Sequence, residues 1–252
     1  MDNTVFHSNR RSFLRMTGAM GAVLVGVART PRARAQANTT SSPMKIAVVG
    51  SGKLGGSVGK RWVKAGHEVF FSSRHPEELK ELVAALGPRA HEGSVADAIA
   101  FATVVFIAVP YAALPEIGRS NAAGLAGKIV IDASNPIAAR DGEIVKEATE
   151  NGIGQTSMKY LPGTHLVRAF NPVGYRNFEG EAQAAPADER IGMPIAGDDA
   201  EALRVAAQLV RDTGLEPVVV PLARAMDFAP GTPLFGKATP VAQLRKQLGV
   251  AQ

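Results

Sequence analysis

A glycine-rich turn between a strand and a helix is the feature that most constrains the fold of this chain. Residues 45–49 (Lys-Ile-Ala-Val-Val) form a largely β-branched run, which is typical of a strand buried on both faces. Residues 50–55 (Gly-Ser-Gly-Lys-Leu-Gly) follow at once, and residues 53–65 have the pattern of a helix that ends before Gly66. A strand, a G-x-G-x-x-G turn and a helix in this order predict a dinucleotide-binding fold.

Each glycine of this turn has its own physical role. Gly50 permits the tight turn, Gly52 lets backbone N–H groups approach a pyrophosphate, and Gly55 lets the helix pack closely on the strand. The unpaired N–H groups and the partial positive charge at the start of the helix favour two phosphates. The predicted phosphate-binding residues are therefore Gly50, Ser51, Gly52, Lys53, Leu54 and Gly55.

The end of the second predicted strand, residues 67–71, indicates which dinucleotide binds. A site for NAD usually has Asp or Glu there, which accepts a hydrogen bond from the ribose 2′-hydroxyl. Here Ser73 and Arg74 follow the strand, and the first carboxylate is Glu77. A serine hydroxyl and a guanidinium both donate to a 2′-phosphate, which an acidic residue would repel. The sequence therefore favours NADP(H) over NAD.

Strands and amphipathic helices alternate through the rest of the chain. This pattern predicts an α/β fold, a Rossmann-type doubly wound parallel sheet with a small C-terminal substrate-side region. The alternation of strands and helices becomes less regular after Asn135. We therefore predict an NADP-binding domain (44–136) followed by a C-terminal region (137–252) that continues the α/β fold. The predicted strands cover residues 89–92, 103–109, 128–132, 165–169, 192–196 and 218–220, and the later helices residues 77–85, 199–212 and 241–248.

Charge and composition exclude several classes of protein. Hydrophobic residues make up 46% and charged residues 20% of the chain, which argues against disorder and coiled coil. No cysteine is present, so disulfide scaffolds, thiolate zinc sites and a cysteine nucleophile are excluded. The net charge of +5 lies entirely within residues 1–35, and the neutral remainder lacks the basic excess that nucleic-acid binding requires. We predict no nucleic-acid partner and no metal site.

The first 37 residues have the three parts of an export signal. A basic start ends in Arg10-Arg11-Ser12-Phe13-Leu14, and an uncharged stretch runs from residue 16 to 28. At about 1.5 Å per residue such a stretch is too short to cross a bilayer core about 30 Å thick as a helix, so we predict no stable membrane anchor. Small-x-small sites follow at Ala35 and Ala37.

The Arg-Arg-x-Phe-Leu run resembles a twin-arginine signal, whose route carries proteins that have already folded. This resemblance implies a signal peptide over residues 1–37, a polar linker over 38–43, cleavage near Ala35 or Ala37, and a periplasmic mature protein. The twin-arginine export machinery is then one partner. The alternative is that translation begins at Met44, directly before the first strand.

With these residues in place, the chain from 44 to 236 resembles the coenzyme F420-dependent NADP oxidoreductase family. The similarity rests on the glycine turn and Ser73-Arg74 and on several later motifs. Those motifs are Val109-Pro110-Tyr111, Asp132-Ala133-Ser134-Asn135-Pro136, Ala169-Phe170-Asn171-Pro172-Val173-Gly174, Pro194-Ile195-Ala196-Gly197-Asp198-Asp199, Pro221-Leu222-Ala223-Arg224 and Pro230-Gly231-Thr232-Pro233-Leu234.

The resemblance implies hydride transfer between NADPH and a deazaflavin or flavin-like ring held face to face with the nicotinamide, a task of positioning more than of acid–base chemistry. No catalytic residue is assigned. The resemblance places Asn135 and Pro136 near the nicotinamide ribose, with Val109, Pro110 and Tyr111 as the wall beside it. It places Asn171, Pro172, Val173 and Gly174 on the side of the second substrate.

The identity of the hydride acceptor stays open at this point. An enzyme that uses F420 is expected inside the cell, whereas this chain carries an export-like leader, so a flavin, a quinone-like or a small carbonyl compound is an alternative to F420. The related domain of the six-transmembrane metalloreductases reduces flavin, which supports flavin. Two other functions are an imine or carbonyl reductase of the β-hydroxyacid or pyrroline-carboxylate reductase type, and a non-catalytic NADP-binding module. For the oligomeric state of the protein, we consider a homodimer.

Overall fold

The computed structural model describes residues 42–179 and 185–251. The predicted export signal (1–37) and most of the predicted linker lie outside the described residues. The described strands are β1 (Lys45–Val49), β2 (Glu68–Ser72), β3 (Ala90–Gly93), β4 (Val104–Ile107), β5 (Ile129–Asp132), β6 (His165–Arg168), β7 (Gly192–Gly197) and β8 (Glu216–Val220).

These strands form one sheet in the order β3-β2-β1-β4-β5-β6-β7-β8. The six strands β1 to β6 are parallel, and the chain winds outward from β1 in both directions. The prediction of an α/β, doubly wound Rossmann-type fold is therefore confirmed. Because the strand ends of such a sheet meet at the switch point, the carboxyl ends of β1 and β4 mark the expected ligand crevice.

The last two strands depart from the all-parallel pattern that we predicted. β7 pairs antiparallel with β6, with Arg168 opposite Ala196, and β8 is parallel to β7. A parallel neighbour needs a crossover connection, usually a helix, whereas an antiparallel one does not. Between β6 and β7 the described residues contain only a short 3₁₀ helix, Tyr175–Phe178, which is consistent with the reversal. One sheet thus joins both regions that the sequence suggested.

Helices cover both faces of the sheet. Over the described residues, none is long and apolar enough to cross a membrane. They are α1 (Lys53–Lys64), α2 (Lys80–Leu86), α3 (Val95–Phe101), α4 (Leu114–Ser120), α5 (Ala122–Leu125), α6 (Ala138–Asp141), α7 (Ile144–Asn151), α8 (Ile153–Tyr160), α9 (Ala200–Arg211) and α10 (Val241–Leu248), with 3₁₀ helices at Pro76–Leu79, Tyr111–Ala113, Tyr175–Phe178 and Leu222–Phe228.

Our prediction of a single helix over residues 77–85 is wrong in one respect. The chain first forms the 3₁₀ helix Pro76–Leu79 and only then the α-helix α2. Pro76 stands in the first turn, where its fixed φ is tolerated, and 3₁₀ turns are frequent at helix starts. By contrast, β1 and α10 have the predicted bounds, and Gly66 follows α1 with φ +101°, as expected of a helix-ending glycine.

The core on one face of the sheet is centred on Trp62 of α1. Its ring lies edge-on to Phe106 at 5.0 Å and to Phe170 at 5.7 Å between ring centroids. Its indole N–H donates to the carbonyl oxygen of Leu209 at 2.8 Å, which links α1 to α9. The Trp62 side chain is fully buried. These contacts fix α1, and with it the phosphate turn, against the sheet.

The packing of α1 gives a test of the glycine assignments. A Cβ on Gly55 would lie 2.0 Å from the carbonyl oxygen of Gly50, whereas a Cβ on Gly52 would meet nothing within 4 Å. We expect Gly55→Ala to lower the free energy of unfolding by at least about 2 kcal/mol, because helix and turn must separate. Gly52→Ala is the matched control and should change it by less than about 1 kcal/mol. Urea unfolding measures both, and equal midpoints would contradict the packing described here.

Candidate functional site

The glycine turn is tied to the neighbouring strand ends by its own backbone. The N–H groups of Gly50 and Ser51 both donate to the carbonyl oxygen of Ser72 at 3.1 Å, and the Ser51 hydroxyl donates to the same oxygen at 3.1 Å. Gly50 has φ +96°, and a Cβ there would lie 2.6 Å from the carbonyl oxygen of Ala108. The turn therefore requires glycine both for its conformation and for its approach to β4.

The start of α1 is open to a ligand. Gly52 is the N-cap, no side chain caps the helix, and its first turn contains no acidic residue. The first N–H groups of a helix have no partner within it, so an anion placed here meets donors and a favourable dipole. Gly52 leaves space beside the helix start, while Gly55 is buried against Gly50 and Leu54 packs partly against the core. The uncapped helix start, the open space at Gly52 and the close packing of Gly55 are compatible with a pyrophosphate at this turn.

The end of β2 presents Ser73 and Arg74 to the same region. The Ser73 hydroxyl oxygen accepts the N–H of His75 at 3.1 Å, so the hydroxyl proton stays available to a ligand. Arg74 is exposed and forms no ion pair within the described part of the chain. Glu77 is the first carboxylate after β2, and it lies 3.5 Å from the ring of His75. A serine hydroxyl and a free guanidinium, without a carboxylate at the strand end, fit a 2′-phosphate.

A groove of about 690 Å³ runs along the carboxyl ends of β1, β2 and β4. Its size suits a small-molecule or cofactor site, and both apolar walls and polar groups line it. Seven of the predicted cofactor-binding residues meet around it: Gly50, Ser51, Gly52, Ser73, Arg74, Val109 and Pro110. The remaining lining residues are Val49, Val95, Ala108, Ala112, Ala113, Glu116 and Ile117.

Lys53 lines a second cavity, of about 440 Å³, together with Ser51, Gly52 and Ser73. Its ammonium group lies 5.3 Å from the centre of the Tyr175 ring, within the range of a cation–π contact. The hydrogen bond with Arg176 and the positive charge of Lys53 lower the pKa of the Tyr175 phenol. Tyr175 is not among the site residues predicted from the sequence. It follows Gly174 directly, but no sequence pattern connects it with the phosphate turn.

Tyr111 is placed differently from its two neighbours. Val109 and Pro110 line the groove, whereas the Tyr111 side chain is fully buried behind them. Its hydroxyl donates to the carbonyl oxygen of Ile153 at 3.1 Å and lies 3.2 Å from the Ser157 hydroxyl. Burial raises the pKa of Tyr111 to about 12, so the phenol stays protonated. In this structure Tyr111 supports the wall of the site from inside and does not form its surface.

A buried ion pair lies behind the substrate-side loops. Arg168 at the end of β6 donates to the carboxylate of Asp132 at the end of β5, and both side chains are almost fully inaccessible. Ser157 donates to the same carboxylate at 2.7 Å, and Arg168 also donates to the carbonyl oxygen of Ser134 at 2.7 Å. Asp132 additionally accepts the backbone N–H of Ser134 at 2.8 Å. The carboxylate is therefore a structural acceptor, and it fixes the first residues of the loop after β5.

This ion pair positions the two predicted asparagines. The Asn171 side-chain N–H₂ donates to the carbonyl oxygens of Asp132 at 3.2 Å and Ser134 at 3.1 Å, and Asn135 donates to the carbonyl oxygen of Asn171 at 2.9 Å. These contacts set the orientation of both side-chain amides, and their two Oδ1 atoms are buried without a partner in the described residues. Unpaired buried acceptors are costly, so these two oxygens are candidates to accept a hydrogen bond from a ligand.

The residue before Asn171 carries backbone strain. Phe170 has φ +65°, a left-handed conformation that costs a residue with a bulky side chain of the order of 1–3 kcal/mol. Its buried ring is held by Trp62 and Phe106, which offset that cost. The strain turns the chain so that Asn171 faces the end of β5. Of the other predicted substrate-side residues, Pro172 and Val173 are buried and Gly174 is exposed, while Pro136 lines a separate cavity of about 290 Å³.

Comparison with known proteins agrees with this geometry. Residues 45–136 match the family described as NADP oxidoreductase, coenzyme F420-dependent. The match supports an NADP-dependent oxidoreductase. It covers β1 to β5 and therefore the whole groove, including Ser73 and Arg74.

Relatives and solved structures extend the similarity beyond this part. The metalloreductase STEAP3 of Rattus norvegicus is 28% identical over 210 residues, covering 81% of this chain and 39% of that protein. The chain spans about two fifths of the length of the curated relatives it matches. A hypothetical protein from Sinorhizobium meliloti has 25% identity and a TM-score of 0.66, covering 80% of this chain and 97% of that one. A structure from Arthrobacter sp. FB24, titled an F420-dependent NADP reductase, has 24% identity and a TM-score of 0.63, covering 78% and 99%.

The buried ion pair gives a second prediction. We expect Arg168→Met to lower the free energy of unfolding by about 3–5 kcal/mol, because the Asp132 carboxylate then remains buried without its cation. Adding Asp132→Asn should restore part of that loss, since a neutral amide costs less to bury. Urea unfolding of the two variants measures the difference. A double variant that is less stable than Arg168→Met alone would contradict this account.

Proposed function

We propose that this protein is an oxidoreductase that binds NADP(H) in the groove and transfers a hydride between NADPH and a deazaflavin or flavin-like acceptor. The observation that carries the proposal is the meeting of the uncapped start of α1 with Ser73 and Arg74 in one groove. The family match over residues 45–136 supports the same cofactor.

The chain's own groups divide the binding task. The open N–H groups of the first turn of α1 would hold the pyrophosphate, and Lys53 adds a positive charge beside them. The Arg74 guanidinium and the Ser73 hydroxyl would bind the 2′-phosphate. Val109 and Pro110 form an apolar wall in the groove, against which the flat nicotinamide ring would pack.

The chemistry requires little from the protein beyond positioning. When bound, NADPH supplies a hydride, that is a proton with two electrons, and one further proton from water completes the reduced acceptor and leaves NADP⁺. The role of the protein is to hold the two rings face to face at reacting distance. The buried ion pair Asp132–Arg168 serves this purpose, because it fixes the loops that carry Asn135 and Asn171.

The cofactor assignment is tested by Arg74→Ala. We expect this change to weaken NADPH binding by about 1.5–3 kcal/mol, the loss of a hydrogen bond to a charged group, and to leave NADH binding nearly unchanged. Titration of the cofactor's fluorescence on the full chain measures both affinities. Arg204→Ala is the matched control, because Arg204 is an exposed arginine on α9 that pairs with Glu201.

The same experiment distinguishes cofactor preference from general binding. An equal loss of NADPH and NADH affinity in Arg74→Ala would overturn the 2′-phosphate assignment. Turnover is followed as loss of nicotinamide absorbance with F420, FMN, FAD, riboflavin and a quinone offered separately. Saturable reduction of one ring system supports the oxidoreductase, and tight NADPH binding without any turnover would overturn it.

We further propose that the protein is exported to the periplasm by the twin-arginine route, after NADP(H) has bound in the cytoplasm. Support comes from the Arg10-Arg11 run and the small-x-small sites before Ala37. Replacing Arg10 and Arg11 together with lysine keeps the charge, and it should retain the unprocessed precursor in the cytoplasm. Cell fractionation and immunoblotting read the result, with Arg15→Lys as the control. Normal export of the double variant would refute this route.

A further inference from the structure

A cavity beside α1 contains a buried arginine without a counter-charge. The cavity has a volume of about 340 Å³ and shares no lining residue with the groove at the ends of β1, β2 and β4. We name it the α1 cavity. It is lined by four residues of α1 and by three from other parts of the chain: Ser57, Lys60, Arg61 and Lys64, then Leu86, Phe178 and Glu179.

Arg61 is the residue that distinguishes this cavity. It is only 6% exposed, and its Nε donates to the carbonyl oxygen of Phe178 at 3.0 Å. Its two terminal nitrogens have no hydrogen-bond or ion-pair partner in the described part of the chain. A buried charge without a partner is costly, so a buried guanidinium is normally paired with an anion. Arg61 therefore indicates a ligand of negative charge.

Two neighbouring side chains of α1 add further donors. Ser57 lies three residues before Lys60 and four before Arg61, and these spacings place side chains on one face of a helix. Within the described residues, neither the exposed Lys60 ammonium nor the Ser57 hydroxyl has a partner. Lys64 also lines the cavity but already has an interaction of its own. One helix face thus presents an ammonium, a hydroxyl and a guanidinium to the same space.

One carboxylate, that of Glu179, also lines the α1 cavity. The hydrogen bond with Tyr175 and the negative charges of Tyr175 and Glu179 raise the pKa of Arg176, so Glu179 already interacts with a cation. Lys60 and Arg61 therefore keep two positive charges for a ligand. A phosphate dianion matches two charges, and its oxygens accept the hydrogen bonds that a guanidinium and a hydroxyl donate.

The other cavity that Arg61 lines is less suited to an anion. It has a volume of about 230 Å³ and also contains Arg176, Arg190 and Glu189. Arg190 lies 3.6 Å from the carboxylate of Glu216, which neutralises it, and Glu189 adds a negative charge. The excess of positive charge lies on the side of the α1 cavity.

We propose that the α1 cavity is a separate anion site that binds a phosphate group, either as free phosphate or as the phosphate of a small monoester. Arg61 and Lys60 would neutralise the two charges, and Ser57 would donate a further hydrogen bond. The volume lies in the range of small-molecule pockets, about 300 to 1,000 Å³, so an organic group has room beside Leu86 and Phe178. This site does not depend on the proposed function.

The first test measures the reactivity of single lysines in the full chain. Bound phosphate stabilises the ammonium form of Lys60 and shields it, so acetylation of Lys60 should be at least about threefold slower in phosphate than in sodium chloride of equal ionic strength. Mass spectrometry of the digested protein reports each lysine separately. Lys146 is the internal control, because it is exposed on α7 and lies outside the cavity. Equal rates for Lys60 in the two salts would overturn the proposal.

Two variants locate the phosphate. Lys60 also lines the cavity at the phosphate turn together with Lys53, whereas Arg61 lines only the α1 cavity of these two. Arg61→Gln should therefore abolish the protection of Lys60, and Lys53→Gln should leave it unchanged. The opposite result would assign the phosphate to the turn. If Arg61→Gln does not fold, the exposed Lys53→Gln variant still decides, because loss of protection there contradicts the proposal.

A comparison of anions identifies the source of the phosphate group. Phenyl phosphate should protect Lys60 at a concentration at least about tenfold lower than inorganic phosphate if the site takes a monoester, because the ring adds apolar contact with Leu86 and Phe178. Equal concentrations would identify free phosphate as the ligand. Acetate at the same ionic strength should not protect Lys60, and protection as strong as that by phosphate would refute a phosphate site.

These experiments are independent of the cofactor assignment. None of them requires NADP(H), so a protein that fails to bind NADPH would still give the Lys60 result. Conversely, loss of the Lys60 protection would leave the assignment of Arg74 to the 2′-phosphate untouched, because Arg74 lines the groove and not the α1 cavity.

Discussion

The candidate site depends on one buried interaction, the ion pair between Asp132 and Arg168. Burying two charges is costly, and the cost is offset here only because each partner has further hydrogen bonds, from Ser157 and to Ser134. These contacts join the ends of β5 and β6 to the loops that follow them. Asn135 and Asn171 take their positions from that junction, and so the substrate side of the site is set from within the core.

The two cavities that contain predicted site residues differ in their chemistry. The groove at β1 and β2 has an open helix start and an exposed guanidinium, which attract phosphate. The separate cavity that Pro136 lines has mostly apolar side chains, which do not attract an anion. The charged part of a dinucleotide is therefore matched by the groove.

The sequence predicted the parts of this protein that are local in the chain. The glycine turn, β1, α1 and the Ser73–Arg74 end were predictable because their signals are periodicity, glycine spacing and the absence of a nearby carboxylate. The Asp132–Arg168 pair joins residues 36 positions apart, and the Lys53–Tyr175 contact joins still more distant ones. Contacts between such distant residues leave no periodic pattern in the sequence from which they could be predicted. The antiparallel β7 was missed because strand direction is set by the connection and by sheet packing, which one strand's residues do not encode.

The contrast between Gly55 and Arg74 has a consequence for how this protein changes over time. Gly55 is enclosed by the backbone of Gly50, so the phosphate turn cannot vary without disturbing the fold. Arg74 is at the surface and bonds to no other part of the described chain. With the role proposed for Arg74, selection can therefore alter the choice between the two nicotinamide dinucleotides at little risk to the stability of the scaffold. Lineages that share this turn are free to diverge in coenzyme while their architecture remains the same.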